Sequence, residues 1–394
     1  MLRYLTAGES HGQFLTAILE GVPSNLPLSF EDIDRELERR QKGYGRGDRM
    51  GIERDKANIT SGVRHGVTIG GPITIVIANR DWDNWRFTMA IGAEEKGKDL
   101  RPPFHRPRPG HADLAGALKY NHQDLRNVLE RASARETAAR VAVGAVCKRL
   151  LREFGIQVIS HVVEIGGVKA LEPGFPFMET FERAEASPVR CADHEASEIM
   201  VERIEEARDS GTSVGGVFEV IALHVPPGLG SYIQWDLRLD GRLAQALMSI
   251  QAIKGVEIGL GFQTARCPGS EAHDEIYYNS SRFTVHGSRF FRKTNRAGGL
   301  EGGVTNGEPI VLRAAMKPIS TQLKPLVSVD FITKEAQLAE VERADVCAVP
   351  AASVVGEAVV AFEIARAMRE KFGGDSMAEM KRNYEGYIDY LQRI

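Results

Sequence analysis

Ala134-Arg135-Glu136-Thr137-Ala138-Ala139-Arg140-Val141-Ala142-Val143-Gly144-Ala145-Val146-Cys147-Lys148-Arg149-Leu150-Leu151-Arg152-Glu153-Phe154 reads as one helix that stops at Gly155. Alanine favours the helix, and glycine just past its end adopts the left-handed conformation that closes it. Val141, Ala145 and Leu150 lie on overlapping faces with little polarity around the circumference, so the helix should be buried. Alternating or β-branched runs at 57–63, 72–78, 156–165, 216–225 and 309–316 read as strands. A further helix starts at Ser29, where Asp32 three residues on suggests a capping box, and Phe30, Ile33 and Leu37 carry its apolar face to Arg39-Arg40. Helical patterns follow at 195–209, 239–251 and 354–372, and 376–391 should form a final surface helix. Strands and helices do not alternate, and no strand leads through GxGxxG into a helix, so a Rossmann nucleotide domain is not expected. The order fits an α+β fold in which antiparallel sheets pack on buried helices. The segment 81–108 is a long polar loop containing Trp82 and Trp85, the length of a lid or an interface.

The chain has 394 residues and a formal charge of -3, which gives no overall attraction to nucleic acid or an acidic membrane. Its length alone suggests about two or three domains. No apolar run approaches the ~20 residues that cross a bilayer. Cys147, Cys191, Cys267 and Cys347 are widely spaced, as expected of reduced thiols in a cytoplasmic protein, and no metal-ligand spacing is present. The first residues lead directly into a glycine-flanked histidine, so no targeting segment is expected.

Against this balanced background, cationic residues are concentrated. Arg39, Arg40, Lys42, Arg46 and Arg49 are threaded with glycines; Arg101, Arg106 and Arg108 accompany His105 and His111; Arg131-Ala132-Ser133-Ala134-Arg135-Glu136-Thr137 opens the alanine-rich helix; and Arg282, Arg289, Arg292, Lys293 and Arg296 form a fourth group. Any one could be a solvated face. Four together suggest a small ligand with several negative charges, because solvated faces normally mix both signs. Arg131, Ser133 and backbone N–H groups should converge at a helix N-terminus, a natural anion site. Gly8-Glu9-Ser10-His11-Gly12 and Arg108-Pro109-Gly110-His111-Ala112-Asp113 each put a proton-exchanging imidazole where backbone can approach a ligand closely. Glycine clusters at 251–259 and 295–303 read as tight turns. Lys317-Pro318-Ile319-Ser320-Thr321 offers a cation with hydroxyls, and Arg343 with Asp345 an ion pair. RNA could also answer the charge, although the balanced overall charge argues against it, and a flavin oxidoreductase is a second alternative.

These segments, with Gln251 to Glu257 and Asn295 to Gly303, closely resemble those of the chorismate synthase family from Met1 to about Gly374. The resemblance implies a single-domain β-α-β sandwich over 1–394, a helical layer between two antiparallel sheets, with 375–394 as a C-terminal helix. It implies a cytoplasmic homotetrameric lyase that removes phosphate from 5-enolpyruvylshikimate 3-phosphate by 1,4-anti elimination, giving chorismate. Reduced FMN is required without net redox change; NADPH, or an external flavin reductase, would supply the reductant. By the same resemblance, His11 with Ser10 assists the leaving phosphate, His111 supports the reduced flavin, and Asp345 relays a proton. FMN contacts fall on Arg131, Ala132, Ser133, Gln251, Ala252, Gly302, Lys317, Pro318, Ile319, Ser320, Thr321 and Arg343, with Ser133 also beside the chemistry. Arg40, Arg46, Arg49, Arg108 and Arg135 would bind substrate, and Arg40 and Arg46 are also associated with NADPH.

Overall fold

The computed structural model describes residues 1–47, 54–92, 101–172, 174–280, 286, 288–342 and 345–394. Two strands open the chain, β1 (Arg3–Ala7) and β2 (Phe14–Glu20), followed by α1 (Phe30–Gln41), β3 (Ala57–Ser61) and β4 (Ile73–Ala78). They form an antiparallel sheet in the order β1-β2-β4-β3. Leu15, Ala17 and Leu19 on β2 and Ile73, Ile75 and Ile77 on β4 alternate into the core. The capping box of α1 is formed: Asp32 N–H donates to Ser29 Oγ at 3.4 Å and Ser29 N–H to Asp32 Oδ2 at 3.0 Å.

Helices α2 (Asp113–Tyr120), α3 (Arg126–Ala132) and α4 (Thr137–Arg152) come next, then β5 (Gln157–Ile165), β6 (Val168–Lys169), α5 (Phe177–Ala186), α6 (His194–Asp209), β7 (Gly216–Leu223), α7 (Leu239–Met248), β8 (Ile253–Ile258) and β9 (Ile310–Met316). The second sheet is also antiparallel, in the order β8-β9-β7-β5-β6. Helices α8 (Val349–Phe372) and α9 (Met377–Arg393) finish the chain. The fold thus mixes helices with sheets. Helix α4 packs on β2 and β4, α8 on β5 and β7, and the two cross each other. Among the described residues no helix is long and apolar enough to cross a membrane.

At the crossing, glycine lets the backbones approach. A Cβ at Gly144 would lie 2.3 Å from Ala358 Cβ and 2.8 Å from the Ala358 carbonyl oxygen. Gly144→Val is therefore expected to lower stability by about 1–3 kcal/mol, the usual scale for overpacking. A urea midpoint equal to that of the parent chain would show that the crossing relaxes instead.

Between the helices lies a closed ion cluster. Glu357, fully buried, accepts from Arg39 Nη1 (2.7 Å) and Nη2 (2.8 Å), Ser160 Oγ (2.6 Å), Arg190 Nη2 (3.2 Å) and Lys148 Nζ. Glu36 accepts from Arg39 and Lys148 at 2.6 Å each, and Glu185 accepts from Arg39 Nη2 at 2.7 Å and from Arg190. Burial raises the Glu357 carboxyl, but the charges of Arg39 and Lys148 more than reverse this and hold it below the usual carboxylate range.

Several sequence expectations need correction. The alanine-rich helix begins at Thr137, because Ala134–Glu136 form a separate 3-10 turn. The helix expected from Val354 starts at Val349, with Pro350 in its first turn where no N–H is needed. The helix expected to reach Gln251 ends at Met248, and the cluster at 251–259, expected to be a tight turn, is strand β8 over most of its length. Strands β1 and β2 and helices α2, α3 and α5 were not anticipated. In β1 the polarity is inverted: Leu5 is exposed, whereas Thr6 is partly covered and Tyr4 packs edge-on against Phe362 at 4.7 Å.

Candidate active site

The loop joining β1 to β2 carries Ser10 and His11. It folds tightly at Gly8, which has φ 107°, and where a Cβ would come within 2.3 Å of the Phe14 carbonyl oxygen. Helix α3 then pins the loop. Ser10 N–H donates to the Glu130 carbonyl at 2.9 Å, and His11 N–H donates to Glu130 Oε2 at 2.8 Å. His11 Nδ1 lies 2.8 Å from Glu130 Oε1. On the imidazole face sits Trp85, stacked with centroids 3.6 Å apart and planes 21° from parallel. Its indole N–H donates to Asp81 Oδ2 at 3.0 Å, and Arg101 lies over its ring at 3.7 Å. The long loop, in its described part, thus reaches the first histidine. Ser133 Oγ is 3.1 Å from Ser10 Oγ and completes the contact from the other side.

Arginines approach the same place from α1 and from the 3-10 turn. Arg40 donates to Thr137 Oγ1 at 3.0 Å and to the Ala134 carbonyl at 3.2 Å, and its Nη1 is 3.5 Å from Asp55 Oδ2. Arg135 Nη1 donates to the same Asp55 oxygen at 2.6 Å. Two buried guanidiniums thus share one carboxylate, and both are of the kind that recognises an anion. Arg131 is placed differently from expectation. It lies in the last turn of α3 and donates to the carbonyls of Gly8 (3.0 Å) and Thr6 (3.1 Å), bracing the β1–β2 loop; its backbone does not open α4. Ala132 ends that helix, and Ser133 caps the 3-10 turn by accepting from Arg135 N–H at 3.3 Å.

From here contacts run on to the second histidine. Glu136 accepts from Thr6 Oγ1 (2.9 Å), Arg140 Nε (3.0 Å) and Gln251 Nε2 (3.3 Å). Burial raises its carboxyl, and Arg140 more than offsets this, leaving it lowered. Gln251 Oε1 is buried with no hydrogen-bond partner among the described residues. Next to it Ala252, at φ 68°, accepts through its carbonyl from Lys317 N–H at 2.9 Å. Lys317 Nζ donates to the Gly110 carbonyl at 2.6 Å and to Ser320 Oγ at 3.0 Å. Burial, then the nearby Lys254 charge, lowers the Lys317 amine below its ordinary value. Pro318 follows, and the Ile319 carbonyl accepts from Ser213 Oγ at 2.6 Å.

His111 Nδ1 lies 2.6 Å from Asp113 Oδ1, and Arg108 donates to both Asp113 oxygens, Nε at 2.8 Å and Nη2 at 3.0 Å. Arg108 Nη1 also reaches Thr321 Oγ1 at 2.9 Å. Burial raises the fully enclosed Asp113 carboxyl, but hydrogen bonds from His111 and Arg108 outweigh it and set it at about 2. Asp113 therefore stays ionised and orients the imidazole.

Of the sequence candidates, then, Ser10, His11, Arg40, Arg131, Ser133 and Arg135 are joined to Gln251, Ala252, Lys317, Ser320, Thr321, Arg108 and His111 by one run of contacts. No contact among the described residues joins Asp345 to this run: Gly47 N–H donates to its Oδ1 at 2.8 Å, and Arg46 Nε is 3.2 Å from its Oδ2. Its expected partner Arg343 lies outside the described residues, as does Arg49. Gly302 turns the hairpin between Leu300–Glu301 and Val304–Thr305 and makes no hydrogen bond to this run among the described residues. Glu130, Asp55 and Glu136 were not anticipated. Asp55 sits in the mixed-charge stretch 54–56, which reads as ordinary surface, and Glu130 has only its i−4 neighbour Arg126 as a signal.

Histidines backed by buried carboxylates beside clustered arginines are the equipment of an enzyme for a small polyanion, and comparison with known proteins makes it a lyase that breaks a carbon–oxygen bond to phosphate. The chorismate synthase family model matches residues 2–368, and the chain belongs to the chorismate synthase family. It is 60% identical over 394 residues to the chorismate synthase of Geobacter metallireducens, covering 100% of both chains. It is 58% identical over 399 residues to that of Aquifex aeolicus, covering 99% of this chain and 98% of the other. A crystal structure of chorismate synthase superposes with a TM-score of 0.80 at 49% identity, covering 100% of this chain and 99% of that one. The chain has chorismate synthase function, a step of aromatic amino acid biosynthesis.

Proposed function

We propose that His11 is the acid that assists phosphate departure from 5-enolpyruvylshikimate 3-phosphate. The carbon 3–oxygen bond to phosphate and a carbon 6–hydrogen bond both break, and the electrons form the new double bond of chorismate. The observation that carries this reading is the contact of His11 with buried Glu130 at 2.8 Å, beside Ser10 and Ser133 and on the same run of contacts as Arg40 and Arg135. An imidazolium there would donate a proton to the leaving oxygen and offset its developing charge. Arg40 and Arg135, with Arg46, Arg49 and Arg108, hold the two carboxylates and the phosphate. Asp345 is the group we assign to carry away the proton from carbon 6.

The residues present fit a flavin. Gln251 Oε1, without a hydrogen-bond partner among the described residues, would accept from a flavin N–H, Lys317 and Ser320 offer an ammonium and a hydroxyl beside Gly110, and a Cβ at Gly110 would fill that space at 3.3 Å from Lys317 Nζ. Arg131, Ala132, Ser133, Ala252, Gly302, Pro318, Ile319, Thr321 and Arg343 complete the assigned set. When bound, reduced FMN supplies transient electron density to the substrate and a basic ring nitrogen. His111, held by Asp113, supports the negative charge of the reduced ring. With no nucleotide fingerprint in the sequence, we assign Arg40 to a substrate anion and not to NADPH, and take an external flavin reductase as the source of reductant.

We read the chain as one domain, with α4 and α8 forming the helical layer between the sheets, acting as a homotetramer in the cytoplasm. The deciding assay is anaerobic, with chemically reduced FMN and substrate, following chorismate absorbance and phosphate together. Equal amounts of both products are expected; phosphate without chorismate would refute the elimination. A second run with oxidised FMN plus NADPH should give no product if reductant comes from outside.

A further inference from the structure

We propose that Glu130 and Trp85 are positioning residues that fix the tautomer and the plane of His11, so that Nε2 is the atom that delivers the proton. This rests on the acid role assigned to His11 above. Glu130 engages one residue twice, taking the backbone N–H of His11 on Oε2 and facing Nδ1 with Oε1, both at 2.8 Å. Its side chain is 2% exposed and that of His11 12%. A carboxylate offers acceptors only, so Nδ1 must carry the hydrogen that lies between them. The exchangeable proton of the imidazolium is then the one on Nε2. Trp85 lies flat on the ring at 3.6 Å and is itself tied down by Asp81, which removes rotation about the Cβ–Cγ bond and shields one face from water. Among the described residues, the charged groups against this unit are Arg126, whose Nη1 is 3.9 Å from Glu130 Oε1, Arg101 over the indole, and Asp81 on the indole N–H. Arg131 braces the same loop through the Gly8 carbonyl.

The geometry dictates what an isosteric amide would do. In Glu130→Gln the amide oxygen is claimed by the backbone N–H of His11, which leaves the NH2 group facing Nδ1. Nδ1 must then accept, and the hydrogen moves to Nε2. The tautomer should invert while the packing is kept.

The test is 15N NMR of histidine-labelled protein, full chain and without substrate, at a pH where the imidazole is neutral. The parent chain should show His11 with hydrogen on Nδ1, and Glu130→Gln should show it on Nε2, with kcat reduced about 10²–10⁴-fold and KM little changed. Glu130→Asp, which restores a carboxylate on a shorter arm, should recover the Nδ1–H tautomer and part of the rate. Trp85→Leu should keep the tautomer and lower kcat. An unchanged tautomer in Glu130→Gln, or hydrogen on Nε2 in the parent, overturns the proposal. Inversion with undiminished kcat would uphold the positioning and instead remove His11 as the acid, so the two readings fail separately.

Discussion

His11→Ala is expected to lower kcat by about 10²–10⁴-fold, the range of a positioned general acid, with flavin affinity nearly unchanged. The separation follows from the site. His11 is tied to Glu130 and Trp85, while of the described groups assigned to the flavin only Arg131 and Ser133 touch its loop, and Gln251, Ala252, Lys317 and Ser320 lie further along the run of contacts. Without the imidazole, phosphate must leave unprotonated and against its own charge. Steady-state kinetics under anaerobic conditions and a flavin fluorescence titration measure the two quantities on one preparation. A variant with kcat within threefold of the parent would end the acid assignment, and one that lost flavin binding in proportion to rate would show that the loop had collapsed.

The largest effect on stability is expected at Glu357. Replacing it with alanine leaves Arg39, Lys148 and Arg190 buried around Glu36 and Glu185 alone, and removing one member of a buried ion network typically costs about 3–5 kcal/mol. The sign with pH is fixed by the direction of the shift. The folded carboxyl lies below its unfolded value, so its contribution is complete above the ordinary carboxylate range and is lost as pH falls toward the folded value. Urea unfolding at neutral pH should show the full loss in Glu357→Ala. On acidification the parent should weaken toward the variant and the difference should shrink. A difference that stayed constant from neutral pH to pH 3 would mean that Glu357 contributes by packing and not by charge.

Much of this was legible from residue types. The alanine-rich segment announced a buried helix because nearly every side of it is apolar, and α4 indeed lies against both α1 and α8. Ser29 and Asp32 gave the start of α1 from two side chains alone. Strand β8 was concealed because Gly255 and Gly259 imitate a turn, and its pairing with β9 is a long-range fact. Strand β1 was concealed because its exposed position is leucine and a partly covered one is threonine. In the site, histidines and arginines announce themselves by chemistry and by glycine neighbours. The carboxylates that hold them do not: Glu130 is 119 residues from His11, Asp55 is 80 from Arg135, and each reads locally as a surface acid. Asp113 was inside the quoted motif, yet only the fold shows that it serves Arg108 and His111 at once.

Arg39 and Arg40 are neighbours in the last turn of α1, where successive side chains diverge by about 100°. One guanidinium is bound into the interior ion cluster and the other to Thr137, Ala134 and Asp55. The roll of the helix about its own axis is thereby a shared variable. A redesign that exchanged Glu36, Lys148 and Glu357 for well-fitting hydrocarbons would often make a protein harder to unfold. Here it would unlock Arg39 and let Arg40 swing with it, so thermal robustness gained in the interior would be given back as slackness at the anion. Selection for grip at Arg40 therefore preserves a polar interior that selection for durability alone would discard.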